Sequence, residues 1–204
     1  MVKKYKPNEI NKLVEILKND GVIAVPTDTV YGLCARMDSF NVRKKLEKIK
    51  ERLPNKSFPI MCSNIEQIKN IAIVTKKTEK IINAFMPGPI TLVLKKSENV
   101  PNYINEGSTE IGIRMATTKE LKEIIELMGI PVLMTSANKS GEEVCKTIEE
   151  IAKKLPEIDA ILEGKTLFGK ASTIVDCTSN ELKIIREGPI KLEEIKFKIQ
   201  PLGT

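Results

Sequence analysis

The chain has no histidine and no tryptophan. Without histidine there is no Ser-His-Asp triad, no imidazole general base and no His-ligated zinc. Any chemistry must run on Lys, Arg, Thr, Ser, Asn, Asp and the backbone. Aromatic residues make up only 4% of the chain, so the core must be built from Ile, Leu and Val. The four cysteines, Cys34, Cys62, Cys145 and Cys177, match no metal or redox spacing and are expected to be reduced and mostly buried. Neither G-x-x-x-x-G-K-[ST] nor G-x-G-x-x-G occurs, so a bound nucleotide must use a less common cradle. No apolar run approaches the about 20 residues that span a bilayer, and the first residues, MVKKYKPNEINKL, lack a signal-peptide core. The expectation is a cytoplasmic protein with no membrane partner.

The 204 residues are 41% hydrophobic, enough for one large or two small domains with a real core. The net charge of +6 suits nucleic acid or an anionic small molecule such as a nucleotide, and does not choose between them. Ile10, Leu13, Val14 and Leu17 recur at helical spacing and predict a helix over 7–19. Further helices are predicted near 40–50, 64–70, 77–86 and 118–128, the one at 77–86 ending at Pro87-Gly88-Pro89. Thr147 and Glu150 form a T-x-x-E capping box before a short helix, and the tail from Lys191 suits another. Strands are predicted near 21–25, 58–62, 91–95, 111–114, 130–135, 159–162, 173–177 and 182–186, with 96–109 a long loop. The pattern predicts a single α/β domain over 1–204, a twisted mixed sheet flanked by helices.

Polar clusters fall at the ends of these elements. Thr27-Asp28-Thr29 follows the first apolar strand, where open α/β sheets place their ligands; a polar turn explains the same residues. Lys50, Glu51, Arg52 and Lys56 follow a helix, where cations also offset the macrodipole. Lys50 and Arg52 serve one site only if the helix ends near Lys50, and Leu53-Pro54 favours that break. Arg114 closes an apolar strand and needs an anionic partner, either a ligand or Asp28. Thr135-Ser136-Ala137-Asn138 and Ser172-Thr173 follow and open strands, and Arg186 closes one. Together they offer cations, hydroxyls and an amide, which is what a polyphosphate and a carboxylate require.

The ordered set PTDTVYGL at 26–33, Lys50-x-Arg52 with Lys56, PGPIT at 87–91, IGIR at 111–114, TSANKSG at 135–141, STIVD at 172–176 and REG at 186–188 resembles the threonylcarbamoyl-AMP synthase family, the YrdC-like superfamily. The resemblance implies a deep basic cavity and an L-threonylcarbamoyladenylate synthase, a nucleotidyltransferase. Such an enzyme joins L-threonine, bicarbonate or CO2, and ATP with Mg²⁺, and releases pyrophosphate. A separate complex then transfers the threonylcarbamoyl group to adenosine 37 of tRNAs reading ANN codons. By motif, Lys50 and Arg52 are implied as catalytic. Thr29, Arg114 and Ser172 are implied in L-threonine binding, and Arg52, Lys56, Ser136, Asn138 and Arg186 in ATP binding, with Thr27 contributing. No protein side chain is implied as a metal ligand. Two positions depart from the family pattern: Met61 stands where many members carry His, and Lys56-Ser57-Phe58 where Lys-Pro-Leu is common. The competing class is an RNA-binding module for double-stranded RNA or a ribosomal precursor, with weak tRNA binding also allowed. The scarcity of aromatics and the lack of an RNP-like motif count against it.

Overall fold

The apolar strands assemble side by side. In the computed structural model, which describes residues 2–52, 56–166 and 171–200, they form one mixed sheet of ten strands. These are β1 (Lys3–Tyr5), β2 (Ile23–Val25), β3 (Gly32–Arg36), β4 (Ile60–Cys62), β5 (Ile90–Lys95), β6 (Glu110–Met115), β7 (Val132–Ser136), β8 (Ala160–Leu162), β9 (Thr173–Asp176) and β10 (Lys183–Arg186). Their order is β1-β8-β2-β3-β7-β4-β6-β5-β9-β10. The helices are α1 (Ile10–Lys18), α2 (Phe40–Ile49), α3 (Ile65–Ile71), α4 (Lys76–Phe85), α5 (Lys119–Met128), α6 (Ile148–Lys154) and α7 (Leu192–Ile199). All described strands belong to this sheet, giving the expected α/β fold.

Each face of the sheet buries its own apolar layer. On one, Ile10, Leu13, Val14 and Leu17 of α1 and Leu121, Ile124, Ile125 and Met128 of α5 cover Ile23, Val25, Cys34, Met61, Val132 and Met134. On the other, α2, α3, α4 and α6 pack Leu46, Ile68, Ile82 and Ile151 against Leu33, Ile60, Leu92 and Ile113. Cross-strand register places Arg114 beside Met61, and Gly112 beside Val93. In a sheet, directly paired residues share a face. Arg114, Gly112 and Val93 therefore lie on the α1/α5 face, and a cavity opens there over β6, β5, β9 and β10.

Two strands were not legible. β3 follows the PTDTVYGL turn, so that motif is the loop of a β2–β3 hairpin in the middle of the sheet. Its sequence, GLCAR, has too little β-branched character to read as a strand. β1 is a three-residue edge strand of mostly exposed Lys-Lys-Tyr, held by parallel pairing with β8. The predicted helix over 7–19 divides into a 3₁₀ turn at Pro7–Glu9 and α1. The capping box at Thr147 is shifted by one residue. Thr147 accepts from the Glu150 backbone N–H at 3.1 Å, but the Glu150 carboxylate accepts from Lys146 N–H at 2.8 Å. All four cysteines are buried and unpaired. Burial pushes the Cys34, Cys62, Cys145 and Cys177 thiols up, so none is an activated nucleophile.

Candidate functional site

The β2–β3 loop is built around Thr27. Its hydroxyl donates to Val30 C=O at 2.7 Å and accepts from the Thr29 and Val30 amides at 3.2 and 3.3 Å. Tyr31 donates its phenol to Gly164 C=O at 2.9 Å, bolting the loop to the end of β8. This loop presents Asp28 and Thr29 to Arg114 on β6. Arg114 Nη2 meets Asp28 Oδ1 at 2.8 Å, and Nη1 donates to Thr29 Oγ1 at 3.3 Å. Both sides of the pair are more than nine-tenths buried. Arg114 Nε and Asp28 Oδ2 nevertheless have no hydrogen-bond partner among the described residues. The sequence left Arg114 two partners, and the structure assigns Asp28 as the resident one while leaving Arg114 on the cavity wall.

Across β5 and β9, Ser172 Oγ lies 2.8 Å from Thr91 Oγ1, and both are nearly inaccessible. Arg186 crosses from β10 to donate through Nε and Nη2 to Ser172 C=O at 3.1 and 2.9 Å, and through Nη2 to Ser172 Oγ at 3.2 Å. The approach requires Gly188. A Cβ there would sit 2.3 Å from Thr173 N and 2.6 Å from Ser172 C, which backbone atoms cannot relieve.

The segment after α2 turns because Lys50 ends the helix and Glu51 adopts a left-handed φ of 48°. Arg52 N–H then reaches back to Glu47 C=O at 2.9 Å and Glu51 N–H to Lys48 C=O at 3.0 Å, the paired bonds of a Schellman cap. The helix thus ends where a shared site needed it to end, through Glu51. Leu53 and Pro54, to which the break was first attributed, lie outside the described residues. Arg52 stacks on Phe58, 4.6 Å from the ring centroid, and donates to the Lys56 and Ser57 carbonyls. Its side chain lines the cavity.

Lys50 departs from its expected position facing substrate. It is 1% exposed, does not line the cavity, and is enclosed by the turn after β7. Its Nζ donates to Ser136 C=O at 2.6 Å, Asn138 C=O at 2.6 Å and Asn138 Oδ1 at 3.0 Å. Ser140 N–H returns to Lys50 C=O at 2.7 Å, and Lys139 pairs with Glu51. Asn138 is likewise internal, accepting from Ser136 Oγ and donating to the Lys139 and Glu142 carbonyls at 2.8 Å. Of this group Ser136 reaches the cavity. Lys56 is exposed and does not line it, and Met61 is fully buried on β4 beside Arg114. Burial, with a smaller contribution from the Arg52 charge, pushes Lys50 down to about 7.

The resulting cavity is about 530 Å³, within the range of small-molecule sites. Among the described residues, Arg52, Arg114 and Arg186 line it against one carboxylate, Glu110. Burial pushes all three guanidinium groups below their usual range. Glu47 opposes this at Arg52 and Asp28 at Arg114, while the Arg114 charge adds to it at Arg186. Arginine stays protonated regardless, so the wall is a concentration of undercompensated positive charge. It can take an anion, and its hydroxyls, Thr29, Ser136 and Ser172, can orient one. Sequence reasoning assigned no role to Thr91, although it lies in the PGPIT motif, nor to Asn105, Ser108 and Glu110. The last three belong to or follow a segment legible only as a loop. That loop is fastened by Lys96 Nζ to the carbonyls of Ile104 at 3.0 Å and Asn105 at 3.3 Å. No cluster of three or more Cys, Asp or Glu placed to hold a metal ion occurs among the described residues, nor is any helix among them long and apolar enough to cross a membrane.

Known proteins share both the sequence and the fold of this chain. The chain is 34% identical over 203 residues to a putative threonylcarbamoyl-AMP synthase of Methanocaldococcus jannaschii, covering 96% of each chain. The structure of Pyrococcus abyssi Sua5 complexed with L-threonine superposes with a TM-score of 0.90 at 30% identity, covering 98% of this chain and 61% of that one. The E. coli YciO structure superposes with a TM-score of 0.88 at 26% identity, covering 96% of this chain and 100% of that one. A family model described as telomere recombination, that of Sua5, YciO and YrdC, matches residues 15–188, and the chain belongs to this family.

Proposed function

We propose that this chain is an L-threonylcarbamoyladenylate synthase, a nucleotidyltransferase acting on L-threonine, CO2 drawn from bicarbonate, and ATP. The observation that carries the reading is the buried Arg114, oriented by Asp28 and Thr29, beside Ser172 in a cavity walled by two further arginines. The relative solved with L-threonine, P. abyssi Sua5, supports it.

The threonine amine adds to CO2, a C–N bond forms, and one proton leaves, giving a carbamate. A carbamate oxygen attacks the α-phosphorus as the bond to the bridging β-phosphate oxygen breaks, and pyrophosphate departs. Neither step needs a protein nucleophile or an imidazole. What the protein supplies is positioning and charge neutralisation. Arg114 pairs with the threonine carboxylate, and Thr29 and Ser172 orient the amino acid. Arg52, Arg186 and Ser136 hold the triphosphate. Lys50 and Asn138 act by fixing the turn that presents Ser136, and exposed Lys56 approaches only from the loop. Mg²⁺ would be held chiefly by the triphosphate and would supply further charge neutralisation there, since Glu110 is the one carboxylate among the described residues that line the cavity. The product is a mixed anhydride suited to a downstream transferase acting on tRNA. Among the described residues no aromatic side chain lines the cavity, so they offer an RNA-binding module no stacking platform there.

The test is pyrophosphate release from ATP by the purified protein with Mg²⁺. Release should require both L-threonine and bicarbonate. Serine should be the best competitor, since one methyl discriminates by only about 1–3 kcal/mol. Equal release with glycine or with no amino acid overturns the assignment.

A further inference from the structure

Phe58 is the one buried phenylalanine among the described residues, in a chain with few aromatics to place. It stands two residues before β4, and its side chain belongs to the apolar layer under α2, on the face of the sheet away from the cavity. Its neighbours Ser57 and Pro59 line the cavity instead, as alternation along the chain into β4 requires. Arg52 joins the two sides. It comes round from the end of α2, sets its guanidinium carbon 4.6 Å from the centroid of the Phe58 ring, and also lines the cavity. A leucine would fill much the same volume under α2, but it has no ring face to offer a cation.

The hydrogen bonds of that guanidinium are one-sided. Nε donates to Lys56 C=O at 3.1 Å, and Nη2 donates to Ser57 C=O. Nε–H and one Nη2–H make up one edge of the planar fork. The other edge carries both Nη1 hydrogens and the second on Nη2. It has no acceptor and no carboxylate partner among the described residues. Two bonds along one edge act as a hinge: they fix that edge and leave the plane free to swing about it. A ring face beneath the guanidinium carbon stops the swing, because the cation is drawn to the negative face of the ring.

We propose that Phe58 is a positioning residue: its ring face sets the tilt of the Arg52 guanidinium, so that the unoccupied edge meets the phosphates of the nucleotide. The loop carbonyls hold one edge, the ring holds the plane, and a phosphoryl group takes the remaining N–H donors in bidentate fashion. Phe58 touches no substrate itself. Its influence is confined to the phosphates, because the threonine carboxylate is taken by Arg114 on β6. The inference rests on the nucleotide reading of the preceding subsection.

Fluorine on the ring weakens its negative face and hardly alters its shape, which separates positioning from packing. The test is equilibrium binding of inorganic triphosphate, ATP and L-threonine to the full chain with mono-, di- or trifluorinated phenylalanine at position 58, and to Phe58→Leu. Affinity for triphosphate and ATP should fall stepwise with each fluorine, by about two- to tenfold at the trifluorinated ring, and Phe58→Leu should fall by a similar factor. L-threonine affinity and the unfolding midpoint of the fluorinated proteins should not move. In Arg52→Ala, which offers the ring no cation, fluorination should leave triphosphate affinity as it is. If the fluorinated proteins bind triphosphate as the unaltered one does, or if the stepwise fall persists in Arg52→Ala, Phe58 acts by packing and only this inference falls. If the unaltered protein binds neither triphosphate nor ATP, the assignment of function falls with it.

Discussion

Lys50 and Arg114 are both buried cations, 1% and 8% exposed, and both belong to motifs that resemble one family's site. Their surroundings differ in one respect. Every ammonium hydrogen of Lys50 has an oxygen within 3.0 Å. Among the described residues, Arg114 Nε and one carboxylate oxygen of its counter-ion Asp28 have no hydrogen-bond partner. A buried polar atom without a partner costs about 1–3 kcal/mol, so a fold keeps such atoms only where something else repays them. A saturated cluster is architecture. On the proposed function, the unsaturated cluster on the cavity wall is the one that takes the ligand.

The comparison breaks most visibly at Arg114. Arg114→Ala should raise the L-threonine requirement by the equivalent of roughly 2–5 kcal/mol, because the substrate carboxylate loses its partner. It should also destabilise the fold by about 3–5 kcal/mol, because Asp28 is left buried and charged without its cation. Adding Asp28→Asn separates the two effects. The double variant should recover most of its stability in urea denaturation while threonine-dependent pyrophosphate release stays impaired. A double variant that regains threonine affinity would make Arg114 a structural ion-pair partner and nothing more.

Lys50→Met should do the converse. Ser136 C=O keeps the Asn138 N–H and Asn138 Oδ1 keeps the Ser136 hydroxyl, so the substitution leaves the Asn138 carbonyl without its donor inside the turn after β7, which should cost roughly 1–3 kcal/mol of stability. The protein that remains folded should keep its threonine affinity and lose turnover through a misplaced Ser136. A variant with an unchanged unfolding midpoint and no turnover would instead put the Lys50 ammonium on substrate.

The sequence already distinguished much of this arrangement, and the reasons for what it hid are physical. α1 and α5 were legible because their apolar residues recur at helical spacing on faces that are in fact buried. Thr29, Arg52, Arg114, Ser136, Ser172 and Arg186 were legible as candidates because chemistry-bearing side chains cluster at element ends, and all six line the cavity. β3 was not legible, because GLCAR is buried by its neighbours on both sides and carries no pattern of its own. The internal position of Lys50 was hidden for a related reason. A lysine after a helix reads as exposed, and only the distant turn at 136–140, folding back over it, takes it out of water. Glu110 lacks a local signal altogether, since its place in the cavity follows from register with β5.

The pH dependence of stability sharpens the contrast. Lys50 sits near 7 in the folded chain, against about 10.4 unfolded. Between those values the unfolded chain holds a proton that the folded chain has released, so this group makes stability rise with pH. Below about pH 7 both states hold the proton and the contribution levels off. The slope cannot exceed about 1.4 kcal/mol per pH unit for one proton. Urea denaturation at pH 6, 7.5 and 9 should show the rise in the unaltered protein and a flatter profile in Lys50→Met. Parallel profiles would mean that the three oxygens around Nζ hold Lys50 protonated throughout, since a neutral amine has hydrogens for only two of them.

The smallest effect is expected at Thr91, where the two kinds of cluster meet. Its hydroxyl is 2% exposed and bonds Ser172 Oγ at 2.8 Å, yet it also borders the cavity. It is half saturated, and its role is to aim Ser172, which Arg186 holds from the other side. Thr91→Val keeps the shape and removes the hydroxyl, so the packing against Gly112 should survive. Losing one neutral hydrogen bond is worth about 1 kcal/mol, which should appear as a few-fold rise in the KM for L-threonine with little change in the KM for ATP. Thr91→Ser restores the hydroxyl without the methyl and should recover the threonine KM. A rise in both KM values together, or no recovery with serine, would show that Thr91 acts by packing and that Ser172 needs no help to face the site.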